Sequence, residues 1–439
     1  MLRRKIYSQL AEWKNSLDKK SLMLYGARQV GKTYIVREFG KREYSSFIEL
    51  NFIEKPDLKQ IFEGDLSAEN IYKKITASID GAELVPQDTL IFLDEIQTCG
   101  NARTALKFLT QDGSFDVIGS GSFLGLTYGE DADTNVEEVL SVPVGYEDSI
   151  TMYPLDFEEF LWAVGITEVQ IDILREYYRS EVNPPKLIND KYESLFREYM
   201  VVGGMPEVVA DFAKHKDFTK VSSIQSSILE TYRNDISKHA KGAEKIKVRA
   251  CYDAIPRQLA KELKKFQYST VEKGKTSKKY GGSVQWLKDS AVVEACYNVS
   301  EPYIPLIANE KEEQYKLYIN DSGLLCCMYG FETKKGILNG SLKGNAKGGI
   351  VENVIAGSLV RKGFSLHYYK PDDNHELEFL IEAEGEVVPI EVKSGNNATA
   401  SLNSFIETFH PTLAFKLIEG GMGKKGNVRI LPHYMILFI

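Results

Sequence analysis

A multidomain α/β fold, with a mostly parallel sheet in its N-terminal third, is predicted by three observations. Between Ser21 and Pro154, short apolar runs alternate with longer helical patterns, the order expected of βαβ units. A glycine-rich segment, GARQVGKT from Gly26 to Thr33, stands directly between the first of those runs and a helical pattern. The 439 residues correspond to roughly three domains, and 43% hydrophobic with 26% charged residues supply an ordinary core and surface. That composition excludes a disordered chain, a collagen and a disulfide scaffold.

Taken in order, MLRRKIYSQLAEW reads as an amphipathic helix with Ile6, Leu10 and Trp13 on one face. The strands SLMLYG, SSFIELNF, TLIFLDE, FDVIGS and SITMYP follow, and residues 1–154 are expected to form the core. From Leu155 to Lys238 helical patterns dominate, broken at Asn183-Pro184-Pro185 and at Gly203-Gly204-Met205-Pro206, so 155–238 reads as a helical lid. Residues 239–330 carry a helical stripe (Ile255, Leu259, Leu263, Phe266), a second helix around Val284 and Leu287, and the strands VEACYNV and QYKLYIN, an order that suits a winged helix. Residues 331–439 read as a further α/β domain: the helix GGIVENVIAGSLVRKG, strands SLHYYK, ELEFLIEA and VVPIEVKS, a helix near SLNSFIETF, and strands LAFKLIE and HYMILFI.

The net charge of −8 offers no general basic surface, but Arg233 to Lys279 holds 14 Lys and Arg against 5 acids. Five cysteines lack CxxC spacing and six histidines are scattered, which argues against disulfides and zinc. No apolar run reaches membrane-span length. A cytoplasmic protein without membrane contact is expected.

GARQVGKT fits G-x-x-x-x-G-K-[ST] at every position, in the strand-then-helix context a phosphate-binding loop requires. Its backbone N–H groups and the helix N-terminus favour phosphate. Gly26, Ala27, Arg28, Gln29, Val30, Gly31, Lys32 and Thr33 are therefore expected to contact ATP, with Lys32 on the β and γ phosphates and Thr33 on Mg²⁺. LIFLDE places Asp94 at the end of a very apolar strand, where a carboxylate is costly unless it serves an ion. Asp94 is expected to reach the same Mg²⁺, Glu95 to orient the attacking water, and Ser120 to sense the γ phosphate. Arg103, Arg197 and Arg233 are candidate arginine fingers, but for each the reading as a surface salt-bridge partner is favoured.

In the C-terminal part, a hairpin turning at Glu384-Gly385 sets residue 383 against 386 and Glu378 opposite Glu391, with Cβ atoms roughly 5 Å apart. Like charges so placed are destabilising without a cation, which suggests a second divalent metal held by oxygen ligands. Lys393 shares their face, and Glu352 on the preceding helix is a fourth candidate. A structural hairpin relieved by Lys393 fits the same residues.

These motifs resemble the AAA+ superfamily of P-loop ATPases. More narrowly, the chain resembles bacterial and archaeal ATPases that join such a core to a C-terminal domain of unknown function. The resemblance is carried by GARQVGKT, FLDEIQ, YPLDFEEFL, GGMPEVV, YRNDISK, IPRQLAK, QYKLYINDSGLL, GGIVENVIA and PIEVKSG. It implies ATP and Mg²⁺ binding, a switch-like or motor-like ATPase cycle, oligomers by analogy, and a nucleotide-proximal role for Pro206. It also implies a winged helix and a final domain like PD-(D/E)XK nucleases, with Glu352, Glu378, Glu391 and Lys393 in the motif positions. Two residues depart from the pattern: Glu378 stands where Asp is usual, and Tyr146 where many relatives carry arginine. The expected function is an Mg²⁺-dependent ATPase acting on or near DNA through the basic stretch. The alternatives are an ATP-regulated metal-dependent DNA nuclease and a signalling ATPase that binds protein partners.

Overall fold

The computed structural model describes residues 2–121, 145–239, 244–274, 276–395 and 399–439. Lys241, Lys275 and the start of SVPVGYEDS lie outside them. The chain divides into two units: Arg4–Tyr153 with Asp289–Ala291, and Pro154–Lys288 with Val292–Ile439 and the residues up to Arg3.

The first unit contains α1 (Ile6–Lys14), β1 (Ser21–Tyr25), α2 (Lys32–Glu43), β2 (Ser46–Asn51), α3 (Ala68–Ser78), β3 (Thr89–Asp94), α4 (Gly100–Asp112), β4 (Asp116–Ser120) and β5 (Glu147–Thr151). Its five strands are all parallel, in the order β2-β3-β4-β1-β5. Parallel sheets need cover on both faces, and the side chains alternate accordingly. Leu22, Leu24, Leu90, Phe92 and Ile118 pack on Ile6, Leu10 and Trp13 of α1 and on Ile35, Val36 and Phe39 of α2. Met23, Ile48, Leu50, Ile91, Leu93 and Val117 pack on Ile71 and Ile75 of α3 and on Ala102, Ala105, Leu106 and Leu109 of α4. Register places the carboxyl ends together: Asn51 pairs with Asp94, Leu93 with Gly119, and Leu24 with Ser120. Ligands of open parallel sheets bind at this edge.

In the second unit come the helices Phe157–Ala163, Glu168–Ser180, Lys186–Val202, Pro206–His215, Phe218–His239 and Glu244–Leu259. The first two begin with reciprocal capping boxes, Asp156 with Glu159 and Thr167 with Gln170. An eight-stranded mixed sheet runs β12-β13-β11-β10-β9-β8-β6-β7. Its strands are β6 (Val293–Val299), β7 (Glu310–Ile319), β8 (His367–Tyr369), β9 (Leu377–Ala383), β10 (Glu386–Val392), β11 (Ala414–Ile418), β12 (Gly423–Lys425) and β13 (Val428–Pro432), with the helix Asn345–Arg361 preceding β8.

Three sequence expectations are corrected. The ribbon β6–β7 is no detached wing: β6 pairs with β8 through Tyr297↔His367 and Asn298↔Tyr368, so a boundary at 330/331 would cut one hydrogen-bonded sheet. Apart from Asp289–Ala291, residues 155–238, 239–330 and 331–439 share one unit. The stripe Ile255-Leu259-Leu263-Phe266 ends as a helix at Leu259; Phe266 instead donates its N–H to the Tyr315 carbonyl oxygen at 2.7 Å and stacks on that ring. The terminal HYMILFI is a 3₁₀ helix over His433–Phe438 rather than a strand, and its Tyr434, Met435 and Ile436 are buried.

Candidate functional site

The loop after β1 turns where only certain residues fit. Gly26 has φ 153°, and a Cβ there would stand 2.3 Å from the Met152 carbonyl oxygen. Gly31, at φ 96°, caps α2 in the left-handed region that glycine adopts without strain. Ala27 and Val30 are buried, Arg28 is half-buried beside Lys32, and Gln29 is exposed at φ 63°. Lys32 is 8% exposed, and its ammonium donates to the carbonyl oxygens of Gly26 at 2.9 Å and Ala27 at 3.0 Å. Burial pushes its pKa down to about 8, opposed by Glu95 and Asp94.

Asp94 ends β3 at 1% exposure and gathers the edge around it. The Thr33 hydroxyl donates to its two oxygens at 2.9 and 3.2 Å, Asn51 donates from its amide at 2.9 Å, and the Ser120 hydroxyl donates to Oδ1. Burial raises the Asp94 carboxyl above its ordinary range, against the lowering effect of Ser120 and Thr33. Glu95, half-buried, follows with φ 56°, a left-handed conformation that costs a non-glycine residue about 1 kcal/mol or more. Thr98 holds that turn, donating from its N–H at 3.0 Å and its hydroxyl at 2.9 Å to the Glu95 carbonyl. Gln97 donates from Nε2 to the Glu95 carboxylate at 2.6 Å.

Converging hydroxyl and carboxylate oxygens from Thr33 and Asp94 form the hard donor set that suits Mg²⁺. The structure thus brings Lys32, Thr33, Asp94, Glu95 and Ser120 to one edge. It adds two residues that the sequence reading passed over. Asn51 was signalled only by a polar residue ending an apolar strand. Arg4 donates to the loop carbonyl of Val30 at 3.2 Å and to Tyr153 at 2.7 Å, and nothing in a basic N-terminal tetrad marks that task.

Pro206 belongs to the second unit, at the first turn of Pro206–His215. The turn before it is locked by Asp321, which accepts the Gly204 N–H at 2.6 Å; a Cβ on Gly203 would stand 2.2 Å from the same carboxylate. Arg103 is 3% exposed and clamped to Glu147 (2.6 Å from Nη2, with a second contact from Nη1) and to the Tyr25 hydroxyl, so its salt bridge is buried rather than on the surface. Arg233 pairs with Asp253 at 2.9 Å. Arg197, in the second unit, has a buried Nε without a hydrogen-bond partner.

At the C-terminal carboxylates the expected register is observed, with Ala383 opposite Glu386 and Ile390 opposite Phe379, so Glu391 follows opposite Glu378. Glu384 and Gly385 take φ 52° and 82°, the two left-handed residues of a type I′ turn. Lys393 lies 2.8 Å from Glu378 and 3.5 Å from Glu391; burial works against its charge, but the two carboxylates outweigh it and raise its pKa. Glu391 is fully buried, neither oxygen accepts a hydrogen bond, and burial raises its carboxyl. Glu352 adds to the negative charge around Lys393 and is itself held by other partners. It accepts from Lys264 at 2.7 Å and Tyr318 at 3.2 Å and faces Lys316 at 3.7 Å, and Lys316 in turn lies 2.6 Å from Glu376. Among the described residues no three His, Cys, Asp or Glu form a metal-binding group. Of the four expected residues, Glu378 and Glu391 share Lys393 as their cation, and Glu352 is paired with Lys264 and Lys316.

Residues 18–161 match the family model described as AAA domain. Residues 193–335 and 347–424 match two models described as domains of unknown function, DUF8612 and DUF4143. No protein with a curated description matches the chain. Among solved structures, the Walker-type ATPase of Pyrococcus abyssi aligns over 75% of this chain and 96% of its own, at 14% identity and a TM-score of 0.43. AMPPCP-bound DnaA from Aquifex aeolicus aligns over 65% and 88%, at 16% identity and 0.28. A signal transduction ATPase with a tetratricopeptide repeat sensor from Pyrococcus horikoshii aligns over 82% and 46%, at 12% identity and 0.25. No described helix is long and apolar enough to cross a membrane.

Proposed function

We propose that this chain, whose residues 18–161 match the AAA domain model, is an Mg²⁺-dependent ATP hydrolase of the AAA+ superfamily that works as a switch. The observation that carries the reading is the convergence of Thr33, Ser120 and Asn51 on one buried carboxylate, Asp94, beside the glycine loop. Thr33 and Asp94 would hold Mg²⁺, which supplies charge neutralisation on the β and γ phosphates. Lys32 exchanges its bonds to the Gly26 and Ala27 carbonyls for phosphate oxygens, and Glu95 orients the attacking water. Steady-state ATP turnover tests this: Lys32→Ala is expected to lose nucleotide binding, and Glu95→Gln to bind ATP without hydrolysing it.

DNA is the partner we favour, supported by the basic excess of Arg233–Lys279 and by the exposure of Arg249, Arg257 and Lys261. Part of that excess is spent internally, since Lys264 meets Glu352, Lys247 meets Glu244 and Lys279 meets Glu272. A salt titration of duplex binding is expected to give a log–log slope reflecting only a few phosphate contacts. Binding absent even at low ionic strength points to a protein partner.

A nuclease is a second reading, favoured by one observation: Glu391 is wholly buried with neither oxygen hydrogen-bonded, opposite Glu378 and close to Lys393. Mg²⁺- or Mn²⁺-dependent plasmid cleavage lost in Lys393→Ala supports it. Equal cleavage by variant and wild type rejects it.

A further inference from the structure

We propose that Gln97 is a positioning residue for ATP hydrolysis, holding the Glu95 carboxylate in its working orientation; this rests on the ATPase reading above. Gln97 lies two residues beyond Glu95, on the 3₁₀ turn Ile96–Thr98, and is 4% exposed. Its Nε2 donates to Glu95 Oε2 at 2.6 Å. The amide cannot be turned over without setting its carbonyl against a carboxylate oxygen, so the donor assignment is forced by the partner. That orientation leaves Oε1 buried with no hydrogen-bond partner.

The two ends of this side chain point to the same conclusion. A buried acceptor without a donor costs stability, and an apolar residue of similar volume would avoid that cost. A glutamine whose task was to fill space would be a poor choice here. Its amide does what leucine cannot: it fixes one carboxylate oxygen and leaves Oε1 of Glu95 to meet water. Glu95 has little other means of orientation. Its backbone is set by the left-handed turn and by the two Thr98 bonds, but these reach only its carbonyl oxygen. Among the described contacts of the carboxylate, Gln97 supplies the directional one. Proton-transfer and water-orienting groups depend on such fixed geometry, and a small misplacement costs rate without costing binding.

The test uses the full-length protein and the variants Gln97→Leu and Gln97→Met. Both are expected to lower kcat for ATP by about tenfold or more, with KM and the affinity for a fluorescent ADP analogue unchanged and the melting temperature equal to or above that of wild type. Loss of kcat together with stability in both variants assigns Gln97 to the fold and overturns the proposal, as does unchanged kcat in a well-folded variant. Glu95→Gln, measured alongside, separates the two levels. If Glu95→Gln hydrolyses ATP normally, the ATPase assignment of Glu95 fails; if it is inactive while Gln97→Leu is fully active, only the role of Gln97 fails.

Discussion

The ammonium of Lys32 donates to the carbonyl oxygen of Gly26, six residues earlier in the same loop, at 2.9 Å. The loop thus satisfies its own cation, and a polyphosphate must displace two carbonyls to reach it. Because burial holds Lys32 at a pKa of about 8, roughly half of the free protein carries it neutral at that pH. Phosphate favours the charged form, so ATP binding at pH 8 is expected to take up a fraction of a proton and at pH 6 none. Affinity is expected to fall as pH rises above 8. Calorimetry in buffers of different ionisation enthalpy measures the uptake; a proton count that is the same at both pH values contradicts it.

Asp94 presents the opposite sign. Its folded pKa is raised, so the native state favours the protonated form, and ionised Asp94 weighs against stability at neutral pH. Asp94→Asn, neutral and of the same shape, is expected to keep or raise the melting temperature while lowering Mg²⁺-dependent turnover by 100-fold or more, on the order expected for removing an electrostatic element of catalysis. Thermal denaturation and turnover on the same preparation check both halves.

Arg103 and Glu147 are 4% and 14% exposed at their side chains. Removing one partner leaves the other charge buried, so Arg103→Ala is expected to destabilise the protein by about 3–5 kcal/mol. Denaturant titration reads this loss. Turnover per folded molecule in the surviving fraction should stay at the wild-type value, the opposite of an arginine finger.

Lys316 is wholly buried between Glu376 at 2.6 Å and Glu352 at 3.7 Å, with the Tyr368 ring 4.8 Å from its ammonium. Burial opposes its charge, but these acids hold its pKa well above the ordinary value. Lys316→Met is expected to cost about 3–5 kcal/mol, and adding Glu376→Gln to restore a large part of it. A double-mutant cycle in urea gives the coupling directly.

Much of the first unit was legible because its signals are local. Strand, glycine loop and helix follow one another within Ser21–Glu43, and the apolar run Thr89–Leu93 leads straight to Asp94. The β9–β10 register could be read for the same reason, since a two-residue turn at Glu384-Gly385 fixes every pair behind it. Pairings set by distant residues left no such trace. Nothing near Tyr297 announces His367 as its neighbour, so the ribbon β6–β7 looked like a separate wing. The same holds for Lys264 and Lys316, whose meeting with Glu352 no local pattern announced. Gln97 and Asn51 were missed because their task appears only once the strand ends are aligned.

Whether Lys32, Thr33, Asp94 and Glu95 form an ATP-hydrolysing site is decided by ATP turnover of wild type and Glu95→Gln, with ATP binding measured in parallel and Mg²⁺ present or withheld. Wild type is expected to hydrolyse ATP only with Mg²⁺, and Glu95→Gln to bind ATP with wild-type affinity yet turn over at least 100-fold more slowly. Hydrolysis by Glu95→Gln at the wild-type rate, or turnover indifferent to Mg²⁺, would contradict that assignment.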